Sequence, residues 1–216
     1  MSHRKNQSGF TLVEIAIVLV IIGLLLGGVL KGQELIYNQK VKSTYDMYRQ
    51  YTAAMYGYQD RYKALPGDDP QALLRGFIVP AGDPIITPGN GDGIIANGGA
   101  LCVLANAALE VCQATYHLRL SGFLTGDGTI AAQHPLGGVV TLNTPTAGMG
   151  AFPAAFLGAT TSICWQKLPN KAAQQIDVSY DDGKALSGSM QGTADYTTLV
   201  VAAPNTTSAA WTCMTN

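Results

Sequence analysis

The sequence predicts an α+β fold: one long N-terminal helix, apolar in its first half and amphipathic in its second, packed on a small antiparallel-sheet domain. Three observations predict it. Residues Phe10 to Leu30 form one apolar run, FTLVEIAIVLVIIGLLLGGVL, interrupted by a single acid, Glu14. No proline occurs between Phe10 and Ala64, so nothing in the chain breaks a helix over that span. Beyond Leu65 the text turns to Gly, Pro, Asp and Asn punctuation around short apolar runs, the pattern of short strands joined by turns. The expected layout is a short basic leader over 1–9, a membrane-length helical segment over 10–30, the amphipathic half of the same helix over 31–64, and a globular α+β domain over 65–216.

The leader, MSHRKNQSG, carries Arg4 and Lys5 and no acid. A basic end before an apolar run is retained in the cytoplasm, which sends the rest of the chain across the membrane. The run of 21 residues is of spanning length at helical rise. A secretory signal would have a shorter apolar core followed by a small-x-small cleavage site. Here Lys31-Gly32-Gln33-Glu34 follows and the helical pattern continues, so the run is kept. The expected location is a bacterial inner membrane, crossed once, with the C-terminal domain periplasmic.

After the run, Leu30, Tyr37, Val41, Tyr45, Tyr48, Thr52, Met55, Tyr58 and Tyr62 recur at steps of three, four or seven, the spacing of one helix face. Leu65-Pro66-Gly67 ends the helix, giving a predicted length of about 80 Å. Such a helix does not hold in water alone, so its second half lies on the domain. Seven of the 10 tyrosines sit in this half, where packing is their expected role.

From Gly67 to Gly99 the motifs GDDP, AGDP, TPGNGDG and ANGG are turn chemistry. Asp68, Asp69, Asp83, Asn90 and Asp92 offer oxygen ligands of the kind calcium takes, but the EF-hand spacing is absent, and no metal or other cofactor is expected. A second helix is predicted over Asn106–Phe123, with Leu109, Cys112, Tyr116, Leu120 and Phe123 on one face and Gly122 as its stop. Strands are predicted over Val139–Leu142, Ser162–Leu168, Gly188–Gly192 and Tyr196–Ala202, the last central because it is nearly all apolar. A short helix is predicted over Lys171–Ser179. Four cysteines, Cys102, Cys112, Cys164 and Cys213, all lie beyond the apolar run, which reads as two disulfides in an oxidising compartment. Three pairings are possible; proximity favours Cys102–Cys112, leaving Cys164–Cys213. Zinc is disfavoured because no C-x2–4-C pair exists. Trp165 and Trp211 are expected to pack around a disulfide.

Charge and motifs exclude several functions. Outside the leader, 11 basic residues face 14 acidic ones, which gives no clustered cationic footprint for nucleic acid. Walker, G-x-G-x-x-G, G-x-S-x-G and H-E-x-x-H motifs are absent. His3 falls in the leader, His117 is expected on the surface of the second helix, and His134 in a loop. Asp181-Asp182-Gly183 reads as an ordinary turn. No catalytic residue is expected, and no enzyme.

Glu14 is the residue that needs a reason, because an ionisable group in a membrane segment costs a few kcal/mol and marks function. Cleavage after Gly9 would create a partner, the new α-amino group of Phe10, four residues away. In adjacent staggered helices the amine of one would meet the carboxylate of the next and fix their register. Gly9-Phe10-Thr11-Leu12-Val13-Glu14 resembles the prepilin cleavage motif of type IV pilins and type II secretion pseudopilins. The resemblance covers about the first 60 residues closely, with softer matches at Tyr58–Asp69, Leu118–Leu124 and Ile176–Gly183. It implies that Gly9 is the processing site, Phe10 the N-methylated residue and Glu14 the assembly acid. The implied partners are prepilin peptidase, other pilin or pseudopilin subunits, an inner-membrane assembly platform, and membrane lipid before assembly. The implied function is a structural subunit of a type IV pilus or secretion pseudopilus; the alternative is a tip-located minor pilin that binds a surface, DNA or a secreted substrate. Major pilins of this class usually carry a proline near the position of Lys31; here Lys31 lies among Gly23, Gly27, Gly28 and Gly32. Together with a mature chain of 207 residues counted from Phe10, this tilts the resemblance toward a minor pilin or pseudopilin.

Overall fold

The structure is a computed structural model that describes residues 12–81, 83, 86–95, 107–126, 132–145, 161–192, 196 and 211–215. Helix α1 spans Leu12–Tyr62 without a break, α2 spans Glu110–Leu120 and α3 spans Asn170–Tyr180. A 3-10 turn covers Ala72–Leu74. The strands are β1 (Ala132–Gln133), β2 (Val139–Asn143), β3 (Ser162–Gln166), β4 (Met190–Gly192) and β5 (Trp211–Thr215). They form one antiparallel sheet in the order β1-β2-β3-β5-β4. The α+β class and the long helix are as the sequence predicts.

The chain divides into two compact units, Met1–Lys40 and Val41–Asn216. In the first, the apolar side chains from Leu12 to Ile36 stand exposed along α1. The second contains the core. There α1 buries Val41, Thr44, Tyr51, Ala54, Met55 and Tyr58, a stripe at helical spacing. The predicted face is thus displaced by about one residue: Tyr45, Tyr48 and Thr52 are half-buried, while Thr44, Tyr51 and Ala54 fill the seam. Lys63 turns left-handed at φ 55° and closes the helix before Pro66.

Sheet alternation separates the two tryptophans. Trp165 neighbours Cys164 in sequence and therefore faces the other way. Its ring meets Tyr48 of α1, with centroids 6.1 Å apart, and Tyr48 donates a hydrogen bond to the Thr215 carbonyl at 3.0 Å. Val140, Leu142, Ile163 and Met214 are buried on the Trp165 side of the register. The opposite face carries the row Thr141, Cys164, Cys213 and Gln191. Cys164 and Cys213 are direct cross-strand partners joined by a disulfide, with Cα atoms 4.0 Å apart. Trp165 therefore packs on α1, and Trp211 shares the face of the disulfide.

Three other expectations shift. β3 lies in the middle of the sheet, with Trp211–Thr215 between it and β4; of the predicted strand Tyr196–Ala202, Tyr196 sits in a turn and the rest lies outside the described residues. β3 stops at Gln166 because Lys167 adopts φ 56°, a left-handed conformation that leaves the ladder. Helix α2 is shorter than predicted and ends as expected at Gly122, φ 79°. Phe123 donates to the Leu118 carbonyl and Gly122 to that of Arg119, both at 3.0 Å, a Schellman closure that only the left-handed residue permits. Cys112 is disulfide-bonded; Cys102 lies outside the described residues.

The loop after α1 is braced by its own acids. Asp68 accepts from the amides of Gly91 at 2.6 Å and Gly93 at 2.8 Å. Asp69, fully buried, accepts from Tyr58 Oη at 2.8 Å, from the Gln71 amide at 2.9 Å and from Arg75 Nε at 2.9 Å. Burial pushes Asp69 up, but Arg75, the Gln71 amide and Tyr58 outweigh it and hold the carboxyl below its ordinary value. Gly67 anchors the loop on α2 with φ 91°, and a Cβ there would strike the Glu110 carbonyl.

Two stability outcomes follow from this packing. Gly67→Ala combines a left-handed backbone with a backbone clash and should destabilise the domain by at least about 2 kcal/mol, read as a lowered thermal midpoint of the full chain in detergent. The disulfide closes a loop of 49 residues, so Cys164→Ser with Cys213→Ser should lower stability by about 4 kcal/mol on the chain-entropy scale. An unchanged denaturant midpoint would show that the bridge contributes nothing.

Candidate functional site

The N-terminal segment is the first candidate. Gly9 and Phe10 lie outside the described residues. Glu14 sits in the first described turn of α1, exposed, with no other acid on the helix before Glu34. Every side chain from Leu12 to Leu30 is exposed, and the apolar residues run around the whole circumference instead of along one stripe. A helix of this kind suits a surrounding that is apolar on all sides. α1 is long and apolar enough to cross a membrane. Gly23, Gly27, Gly28 and Gly32 lie within it, and the helix runs through them unbroken. Lys31 turns toward Glu34 in an exposed pair at 2.7 Å.

His134 lies in the β1–β2 turn, a loop as expected, but His117 is not where the sequence suggests. His117, expected on the surface, is fully buried between α1, α2 and the loop after α1. Its ring lies 6.2 Å from those of Tyr58 and Phe77, and burial pulls its pKa down to about 4. The cause of the miss is plain: Val111 to Leu118 are buried on every side of α2, so no helical period was available to reveal it. His134 is also buried. Its Nδ1 accepts from the Leu136 amide at 3.3 Å, and its Nε2 lies 3.1 Å from the Gln166 carbonyl, which assigns the proton to Nε2. Burial lowers its pKa as well. It fastens the β1–β2 turn to the end of β3.

Of the residues named as calcium candidates, Asp68, Asp69, Asn90 and Asp92 accept from backbone amides. Beyond the Asp68 and Asp69 bonds, Asn90 accepts from the Asp92 amide and Asp92 from the Ile94 amide, each at 2.8 Å. Asp83 is half-buried beside Tyr116. The carboxylates that do converge among the described residues are Asp177, Asp181 and Asp182, with oxygens within 4.8 Å of one another. Each already holds a donor. Asp177 takes the Gly183 amide at 2.9 Å and the Tyr196 hydroxyl. Asp181 takes the Met190 amide at 2.7 Å, and Asp182 takes Ser187 Oγ at 2.6 Å. Burial raises the pKa of Asp177. The DDG turn is therefore a staple between α3 and β4, and sequence reading had no signal for the Asp177–Tyr196 contact.

One open cleft of 670 Å³ lies at the end of α1, lined by Gln59, Tyr62, Asp69, Arg75, Gly91 and Gly93 among others. Its charged groups are mutually engaged: Arg75 holds Asp69, and Lys63 pairs with Asp60 at 3.1 Å. The Arg75 guanidinium lies 5.1 Å from the Tyr62 ring centroid. Nothing in the cleft couples a nucleophile to a base.

Comparison with known proteins singles out the N-terminal segment. A family profile described as the prokaryotic N-terminal methylation motif matches residues 4–30. No curated protein and no solved structure matches the chain. The matched stretch holds Gly9, Phe10, Glu14 and the whole apolar run. Residues 4–30 thus carry the N-terminal methylation motif, the signature of type IV pilins and pseudopilins.

Proposed function

We propose that the chain is a structural subunit, a minor pilin or pseudopilin. It is cut after Gly9 by prepilin peptidase, methylated on the new amine of Phe10, and assembled through α1 into a type IV pilus or a type II secretion pseudopilus. The observation that carries this reading is the matched motif continuing directly into a helix that is apolar on every side. Such a surface serves two solvents in turn, lipid while the subunit waits in the inner membrane and neighbouring helices once it is in a filament. Before assembly the domain after α1 faces the periplasm, where its cysteines are oxidised.

Glu14 is the register device in this reading. The amine of Phe10 and the carboxylate of Glu14 are four residues apart, about 6 Å along the helix. Within one helix they lie side by side; between helices offset by that rise, the amine of one meets the acid of the next. In a bundle that excludes water, an unpaired carboxylate is strongly disfavoured. Misregistered neighbours are thereby rejected, although the pair itself adds little net stability.

N-terminal sequencing of the mature protein tests the processing step: the first residue should be N-methylated Phe10, and an intact Met1 or a cut elsewhere would sink the reading. Gly9→Leu should leave only the unprocessed, membrane-inserted precursor in an immunoblot. Glu14→Ala should insert and be processed normally but enter sheared filaments at least tenfold less than wild type; equal incorporation would remove the register role from Glu14.

A further inference from the structure

His117 is positioned as more than a core residue. Its Nδ1 accepts the Gly67 amide at 3.0 Å. The neutral ring therefore carries its proton on Nε2, which is buried on the side of the Thr87 backbone. Nδ1 is then the only basic lone pair on the ring, and it is already in use. A second proton can enter only at Nδ1, and there it replaces the attraction to the Gly67 N–H with a clash of two donors.

Gly67 in turn is the first link of the loop that reaches across to Ile95. Asp68 and Asp69 follow it directly and hold the amides of Gly91, Gly93 and Gln71, and Gly89 donates to the Asp69 carbonyl at 3.1 Å. Residues 86–95 keep their own anchors, Thr87 and Asn90 donating to Gln113 and Glu110 of α2 and Ile95 to Thr144, so releasing Gly67 loosens the start of the stretch, next to Asp68 and Asp69. That loop also forms one wall of the 670 Å³ cleft through Asp68, Asp69, Arg75, Gly91 and Gly93.

We propose that His117 is an acid-released latch: protonation at Nδ1 detaches the Gly67 amide from α2 and loosens the adjoining Asp68–Asp69 wall of the cleft at the end of α1.

The surroundings favour the neutral ring. Tyr58 from α1 and Phe77 from the loop face it with aromatic carbon. Asp69 is the one acid whose charge favours the cation, and that charge is already shared among Arg75, Tyr58 and the Gln71 amide. The Thr87 backbone is the other group that favours the cation; on the ring's own helix the other charged residues are Glu110, which accepts from the Asn90 amide, and Arg119. Asp69 is itself held below the ordinary carboxylate value, so it stays charged where His117 begins to protonate. The sign follows from linkage: the released ring binds the proton with the ordinary imidazole affinity and the latched ring more weakly, so latching is complete above pH 6.5 and weakens as pH falls toward 4.

Hydrogen exchange on the detergent-solubilised full chain tests the latch, with rates corrected for the intrinsic pH dependence of exchange. The depression of His117 to about 4, at tenfold per pH unit, predicts that protection of the Gly67 amide falls about 30-fold from pH 7.5 to 5.0. His117→Asn keeps an acceptor near the Nδ1 position but cannot take the proton, so its protection should not change over this range. Constant protection in the wild type, or an equal fall in His117→Asn, overturns the proposal. If His117→Asn does not fold, the wild-type imidazole titration decides by NMR: a midpoint near 4 accompanied by a shift of the Gly67 amide supports the latch, and a midpoint near 6.5 overturns it.

Discussion

Backbone amides in hydrocarbon have no water to turn to, and α1, long and apolar enough to cross a membrane, meets that constraint. A membrane-length segment must satisfy every N–H and C=O internally, which a continuous helix does. The absence of proline up to Pro66 lets the same helix run on through Tyr62. The two parts then meet different demands. Up to Leu30 the side chains need only be apolar, on all sides. From Val41 onward they must fit a core, and the stripe narrows to Val41, Thr44, Tyr51, Ala54, Met55 and Tyr58.

The domain is held by polar closure as much as by apolar packing. Turns rich in glycine and aspartate leave many amides without strand or helix partners, and a buried amide must be met. Asp68, Asp69, Asp92, Asp177, Asp181 and Asp182 each accept from backbone N–H groups within a few residues or across a turn. So acidic a set of loops thereby braces its own backbone. The same polar closure couples the end of α1, where Tyr58, Asp69, Arg75, Gly67 and His117 fix one another.

Pattern was most legible where a period is long. The 51-residue helix, the strands at Val139–Asn143 and Ser162–Gln166, and the helix at Asn170–Tyr180 lie within a few residues of their predicted places. Reading failed where burial erased the period or composition misled. Helix α2 is buried on all sides, so His117 looked like a surface residue. Trp211–Thr215, behind the run AAPNTTSAA, did not read as a strand, yet its pairing with β3 and β4 places it inside the sheet.

The sequence by itself determined the apolar helix, the one acid Glu14 in its apolar run, the N-terminal methylation motif over residues 4–30 and the α+β class. Each is a local property, set by spacing and residue type along the chain. Only the tertiary structure decided which face of α1 is buried, that Trp165 turns to Tyr48 while Cys164 turns away to meet Cys213, and that His117 is closed in against Gly67. Those outcomes depend on register and on contacts between residues dozens of positions apart, and hydrophobic periodicity carries no information about such partners.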